Sequence, residues 1–226
     1  MNEKVLISLI AVALGWLLGQ GTALAKDWWA ARKLRKGLLV ELEDIQDQLQ
    51  RVVMIHSRHL QIFAINGMEP ASSLPIHNMF FSQYFKETFS HLNREQRISY
   101  QLIHASLESL NQKTDDLTKY LGDFYKEHRK APNPAVTKAA IDIWGDQVIA
   151  IYKTAMDVRW HIAYHLRHPE APSFDIMGPM HESYVKFEQE LDDEVKKIME
   201  GAKGLKPEDF MKIYDPKIFA QSRSAS

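Results

Sequence analysis

Five histidines are the residues whose type and spacing could carry chemistry in this sequence. His56 and His59 lie three residues apart, and His161 and His165 lie four apart, so each pair shares one face of a helix. His104 belongs to another helical segment. Helical bundles build metal and haem sites from imidazoles on facing helices. The five side chains therefore form a candidate transition-metal or haem site.

A count of helix levels brings these histidines to a common height. If an aromatic helix at 75–91 folds back along the first helix, the next helix starts near the level of residue 47. His104 then reaches the level of residue 57. The following helix returns antiparallel and brings His161 and His165 to the same height. This topology predicts one histidine tier inside a bundle.

A simpler interpretation places the same histidines at the edge of the apolar core, each with one nitrogen hydrogen-bonded. The sequence contains neither H-E-x-x-H nor the paired Glu-x-x-His of di-iron bundles. On this interpretation the protein has no cofactor. We favour it, and the metal- or haem-dependent enzyme or redox protein is the alternative.

Several other kinds of active site are excluded or disfavoured. The chain has no cysteine, which excludes disulfides, zinc–thiolate sites, iron–sulfur clusters and a cysteine nucleophile. Glycine-rich phosphate loops and the G-x-S-x-G motif are absent. The carboxylates of Glu41 to Asp47 and of Glu188 to Glu194 form runs that are typical of solvated helix faces. A formal charge of −1 gives no field that attracts nucleic acid. The sequence therefore favours a protein without catalytic activity.

The elements that position these residues are predicted to be helices. Glycine and proline are few, 10 and 9 in 226 residues, and apolar residues recur with the 4-3-4-3 spacing of coiled coils. Asn93 and Gln96 form a capping box that begins one of the long helices. The predicted helices run to Asn66 and over 75–91, 93–130, 135–168 and 180–203, with a Pro-bounded turn at 131–134 and a short helical turn at 207–213.

The N-terminus fits both a cleaved signal peptide and a retained membrane anchor. Ala23-Leu24-Ala25 is an A-x-A cleavage site behind an apolar run, which would export a helical domain starting at Lys26. However, Val5 to Ala25 is 21 residues without a charge, and as a helix it spans roughly 31 Å, the thickness of a hydrocarbon core. The length alone does not separate the two.

The charges that follow this segment favour the anchor. The net charge after it is +4, against about +1 before it, and the positive-inside rule places the more basic side in the cytoplasm. We therefore predict a single-pass membrane protein with its N-terminus outside and its C-terminal domain in the cytoplasm. Tryptophans and basic residues suited to the membrane interface are Trp28, Trp29, Arg32, Lys33, Arg35 and Lys36.

The predicted anchor also carries a ladder of small residues, which can support pairing of two such helices in the bilayer. The ladder consists of Ala11, Gly15, Gly19 and Ala23.

The fold class predicted from these observations is all-α, a single N-terminal transmembrane helix continuing into a stalk and an antiparallel helical bundle. The divisions are an anchor at 1–25, a basic juxtamembrane segment and stalk at 26–51, the bundle at 52–205, and a turn and tail at 206–226. The predicted function is that of a self-associating scaffold or sensing protein, whose partners are the lipid bilayer, a second copy and a protein still to be identified.

Overall fold

The computed structural model describes residues 3–70, 72–128, 134–173, 175 and 177–205, apart from the side chains of 3–10, 23 and 134. These residues form five α-helices packed as a bundle, which confirms the predicted all-α class. Of the predicted turn at 131–134, residues 131–133 lie outside the described residues, as does the whole of 206–226. The helices are α1 (Glu3–Ala64), α2 (Met79–Thr88), α3 (Arg94–His128), α4 (Pro134–Arg167) and α5 (Pro179–Ala202), with a 3-10 turn at Phe89–His91.

Helix α1 ends at the predicted stop. Asn66 adopts a left-handed φ of 58°, and the Gly67 N–H donates to the Ile62 carbonyl over 2.9 Å. The reversal satisfies a carbonyl of the last helical turn and directs the chain back along α1.

The predicted capping box at the start of α3 is also confirmed. The Gln96 N–H donates to Asn93 Oδ1 over 2.8 Å, and the Asn93 N–H donates to Gln96 Oε1 over 2.9 Å. The amide groups of both side chains donate further, to the Glu170 and Pro169 carbonyls. The cap of α3 therefore also fastens the chain segment that follows α4.

Helices α3 and α4 are antiparallel neighbours. Tyr120 OH donates to the Ala140 carbonyl over 3.3 Å, and Lys113 Nζ donates to Thr154 Oγ1 over 2.7 Å. Helix α5 then packs antiparallel on α4, with Tyr152 OH donating to Glu194 Oε1 over 2.9 Å.

The apolar core begins earlier on α1 than the sequence indicates. Leu38, Leu42, Ile45 and Leu49 have no exposed surface, although they fall in the predicted stalk at 26–51. Their 4-3-4-3 seam is covered by other helices of the same chain, so residues 38–51 belong to the bundle rather than to a stalk.

Two glycines allow close contacts between helices. A Cβ on Gly37 would lie 2.2 Å from the Phe80 ring of α2, and a Cβ on Gly145 would lie 2.1 Å from the Phe63 ring of α1. Both positions therefore need a residue without a side chain, which explains why a glycine stands in the interior of α1 at position 37.

Helix α2 is shorter than the predicted 75–91. The Ile76 N–H donates to Asn111 Oδ1 over 2.9 Å, and Asn111 Nδ2 donates to the Ile76 carbonyl over 2.7 Å. The amide side chain thus takes both backbone groups that a helix would use, and α2 begins only at Met79.

The N-terminus of α2 is capped by a carboxylate from α1. Glu41 accepts hydrogen bonds from the Phe80 N–H over 2.6 Å and from the Phe81 N–H over 2.8 Å. The prediction that Glu41 lies on a solvated face is therefore wrong, since the residue is only 9% exposed. Negative charge at a helix N-terminus is favourable, so Glu41 holds α2 against α1.

Candidate functional site

The candidate histidines occupy separate parts of the bundle. His56 and His59 have no exposed surface, and their rings meet edge to face at 5.1 Å. His56 Nε2 shares a hydrogen bond of 3.4 Å with Ser73 Oγ. His59 packs against Trp144 at 5.4 Å, and its Nε2 lies 3.7 Å from a Glu69 carboxylate oxygen.

His104 and His165 form a second group. Asn78 Nδ2 donates to His104 Nδ1 over 3.1 Å, and the His104 ring stacks on Phe81 at 3.6 Å. His165 Nδ1 and Ser99 Oγ are 2.7 Å apart. His104 and His165 are near enough for a charge on His165 to lower the pKa of His104.

His161 faces α5 rather than either group. Its Nε2 lies 3.5 Å from Asp157 Oδ1, and its ring stacks on Tyr184 at 5.2 Å. Tyr184 OH donates to the same Asp157 oxygen over 2.7 Å. Asp157 thus joins a histidine of α4 to a tyrosine of α5.

These positions do not make one tier. His59 contacts Trp144, and Trp144 and His165 are about 30 Å apart along the axis of α4 at 1.5 Å per residue. Within the described ranges, no group of three or more His, Asp or Glu side chains could hold a metal ion. The metal or haem site at His56, His59, His104, His161 and His165 therefore stays a prediction, for which the described geometry offers no ligand set.

Burial keeps these imidazoles neutral. It lowers the pKa of His56 and of His104 to about 3, and the pKa of His59 and of His165 to about 4. Burial also lowers the pKa of His161, against the opposing effect of Asp157. In His56, His104 and His165, one ring nitrogen is hydrogen-bonded and the other is buried without a described partner. This is the arrangement expected of core histidines.

The first part of α1 projects beyond the bundle. Every described side chain from residue 11 to residue 30 is exposed, and Ala31 is the first buried one. We call residues 11–30 the exposed segment. Its large apolar side chains are between 51% and 72% exposed, and these are Val12, Leu14, Trp16, Leu17, Leu18, Leu24, Trp28 and Trp29.

The small-residue ladder lies on this exposed segment. A Cβ on Gly15 or on Gly19 would meet no atom within 4 Å, and Ala11 is exposed. The side chain of Ala23 lies outside the described residues. No other helix of the described chain covers Ala11, Gly15 or Gly19.

A cleft rich in cations lies where the exposed segment joins the bundle. Its volume is about 360 Å³, and Arg32, Arg35 and Lys36 line it from α1. None of these cations forms an ion pair with a described residue, although the Arg32 guanidinium lies 5.4 Å from the Trp28 ring centre. We call this the basic cleft, and its remaining lining residues are Trp28, Leu39, Leu92, Gln96, Tyr100, Pro169 and Glu170.

A larger groove is lined by residues of α1 and α2. It encloses about 1020 Å³, and most of its surface is apolar. Val40 and Met79, which line it, are 43% and 78% exposed, and Lys33 also lines it. We call it the α1–α2 groove. The sequence indicates the aromatic character of α2, but neither this groove nor the basic cleft is visible without the path of the chain.

In the part of the chain that the structure describes, no helix is both long and apolar enough to cross a membrane. The described side chains of α1 begin at residue 11, so those of 5–10 in the predicted anchor lie outside this finding.

Comparisons with protein-family models, with curated proteins and with solved structures find no match to this chain.

Proposed function

We propose that this protein is a membrane-anchored interaction protein, in which the N-terminal part of α1 lies in the bilayer and the helical bundle holds a partner at the cytoplasmic surface. No catalytic step is part of the proposal. Its components are the anchor at 1–25, the basic residues that follow, and the bundle.

The observation that carries the proposal is the exposed segment. Eight large apolar side chains between residues 12 and 29 remain open, while the same helix is fully buried at Leu38, Leu42 and Ile45. Exposed apolar surface of this extent costs free energy in water, at about 25 cal/mol per Å². A bilayer removes this cost, and the uncharged stretch Val5 to Ala25 has the length that a hydrocarbon core needs.

The orientation follows from the residues just after the anchor. Trp28 and Trp29 are exposed and in edge-to-face contact at 5.4 Å, which suits the headgroup layer. The cations beyond them favour the cytoplasmic side. The bundle that follows would therefore lie in the cytoplasm.

The experiment that tests the anchor is a topology assay. Reporters that work only in the cytoplasm or only outside it are fused after Lys36 and after Ser226. The proposal expects the cytoplasmic reporter to be active at both positions. Activity of the outside reporter at both positions would overturn the orientation, and a purified chain beginning at Lys26 would establish cleavage instead.

The α1–α2 groove is the proposed position of the protein partner. Its apolar walls and the exposed Met79 suit the apolar face of an amphipathic helix, which binds through side chains three and four residues apart. Met79→Glu would place a charge in that contact and abolish co-purification of a partner, while Met177→Glu, equally exposed and outside the groove, would leave it intact.

Self-association through Ala11, Gly15, Gly19 and Ala23 is the second part of the proposal. Close approach of two helix backbones requires small residues at the crossing. Gly15→Leu with Gly19→Leu is expected to abolish the cross-linked dimer in membranes without releasing the chain from them. If this double variant gave as much cross-linked dimer as the wild type, the small-residue ladder would not be the dimer contact.

A further inference from the structure

We propose that the basic cleft binds the phosphodiester headgroup of an anionic phospholipid, so that the bundle recognises the bilayer surface as well as being tethered to it. This inference rests on the proposed membrane anchor and adds a specific lipid site to it. The site is formed by Arg32, Arg35 and Lys36 of α1, with Tyr100 of α3 at its wall.

Helical spacing places the three cations together. Arg32, Arg35 and Lys36 stand at i, i+3 and i+4, so their side chains share one face of α1. Within the described chain none of them is neutralised by an ion pair. The carboxylate of Glu170 also lines the cleft, which leaves an excess of positive charge there. Arginine binds phosphate oxygens through two parallel N–H donors, so the pair of guanidinium groups suits a phosphodiester.

The wall of the cleft offers a further donor. Tyr100 is only 2% exposed, and its hydroxyl has no hydrogen-bond partner among the residues that the structure describes. Burial raises the pKa of Tyr100, so the hydroxyl keeps its proton and can donate. The Tyr100 hydroxyl is not one of the fully buried polar atoms that lack a partner, so it keeps contact with solvent at the cleft, where a phosphate oxygen would accept a hydrogen bond from it.

The height of the cleft above the anchor favours a lipid as the source of the phosphate. At 1.5 Å per residue, the backbone of Trp28 lies about 5 Å and that of Arg32 about 10 Å beyond Ala25 along the helix axis, while Arg35 and Lys36 lie about 15 and 17 Å beyond it. The headgroup layer extends about 5–8 Å beyond the hydrocarbon core. Side chains on a helix lean toward its N-terminus, here toward the bilayer, and long basic side chains extend further in that direction. Trp28 at the same opening suits the interface between acyl chains and headgroups.

The test measures lipid binding by the full-length chain in uncharged detergent at 0.15 M salt. Titration calorimetry follows dihexanoyl-phosphatidylglycerol, dihexanoyl-phosphatidylcholine and glycerol 3-phosphate. We expect binding of the phosphatidylglycerol, and much weaker binding of the other two. Arg32→Gln with Arg35→Gln is expected to weaken that binding about 30-fold, because each cation near a headgroup contributes appreciably to affinity.

The matched control removes the same charge from outside the cleft. Lys26→Gln with Arg51→Gln takes two exposed cations from the same helix, and neither residue lines the cleft. We expect this variant to bind within about threefold of the wild type. If both double variants weakened phosphatidylglycerol binding equally, the binding would depend on the overall positive charge of the surface, and the proposed site would be overturned. Glycerol 3-phosphate binding as tightly as the lipid would overturn the lipid source, and equal binding of both lipids would overturn headgroup recognition.

A second variant covers the case in which the double arginine variant fails to fold. Tyr100→Phe keeps the buried ring and removes only the hydroxyl, and we expect about fivefold weaker phosphatidylglycerol binding because a hydrogen bond is lost. Unchanged binding in this variant would contradict the site. Alkaline carbonate extraction distinguishes failure of the headgroup site from failure of the membrane anchor. A chain that stays in the membrane but shows no lipid preference would contradict only the headgroup site. Release of the wild-type chain from the membrane would contradict both the anchor and the bilayer as the source of the headgroup.

Discussion

His56, His59, His104 and His165 are closed off from water, and burial lowers their pKa values to between about 3 and about 4. An unfolded chain would bind protons at these residues from about pH 6.5 downward, because that is the ordinary pKa of histidine. Between the two values the unfolded state binds more protons than the folded one, so the free energy of unfolding falls as the pH falls.

Acid should therefore destabilise this bundle in a defined range. The histidine contribution is lost progressively as the pH falls below about 6.5, and the loss continues to about pH 4 for His59 and His165 and to about pH 3 for His56 and His104, by up to about 1.4 kcal/mol per pH unit for each buried imidazole. Chemical unfolding at pH 7 and at pH 5 measures it. His104→Phe should reduce the pH slope by the contribution of one group, while Gln101→Ala, at an exposed position of the same helix that does not titrate, should leave it unchanged. A slope that is equal in all three chains would contradict this account.

Glu41 provides a second test of a single side chain. Glu41→Ala removes the acceptor of the Phe80 and Phe81 N–H groups and should cost about 2 kcal/mol of unfolding free energy. Glu43→Ala, two residues further along α1 and exposed, should change the free energy of unfolding by less than about 0.5 kcal/mol. Urea unfolding of both variants distinguishes them.

Sequence patterns captured part of this chemistry. Core histidines with one bonded nitrogen were predictable, because each lies on or beside an apolar stripe. The role of Glu41 was not predictable, because the residue stands in a run of four carboxylates. The backbone N–H groups that it binds are 39 and 40 residues away in the sequence. Only the folded path of the chain distinguishes it from its neighbours.

At the scale of elements, local signals set the helix ends well. The Asn93–Gln96 box begins α3 and Asn66 ends α1, and in both cases the bonds involved lie within five residues. The start of α2 was misplaced because Asn111, 35 residues away, binds the backbone of Ile76. A long-range hydrogen bond leaves no signature in the local pattern.

The packing of α1 on α4 depends on the missing side chain at Gly145. Gly145→Ala should lower stability by about 1–3 kcal/mol, because its Cβ would overlap the Phe63 ring. Gly122→Ala in α3 meets no atom within 4 Å and should raise stability by about 0.5–1 kcal/mol through helix propensity. Thermal unfolding should therefore move in opposite directions for the two alanines, and equal shifts would contradict the close contact.

At the scale of the whole molecule, the bundle does not use the exposed segment. No described side chain from 11 to 30 is buried. A chain beginning at Lys26 should therefore unfold within about 0.5 kcal/mol of the full chain. The same deletion should move the protein out of the membrane pellet. A large loss of stability would show that the exposed segment contributes to the fold.

The relative heights of the helices were the least predictable feature. Gln96 and Tyr100 line the basic cleft with Lys36 and Leu39, so α3 begins about three turns nearer the N-terminus of α1 than residue 47. The segment before α2 is extended, and extended chain covers about 3.3 Å per residue against 1.5 Å in a helix. The level count treated part of that segment as helix, and the histidine tier depended on it.

Because α1 is one unbroken helix, it also fixes the direction in which the small-residue ladder faces relative to the α1–α2 groove. Successive residues turn by about 100°, so Gly19 and Lys33, about four turns apart, face nearly the same direction around the axis. Gly19 belongs to the small-residue ladder and Lys33 to the α1–α2 groove. Two copies that pair through the ladder would turn their grooves toward each other. Pairing and capture of a partner would then compete for one side of the molecule, and the population of dimers would set how many grooves are open.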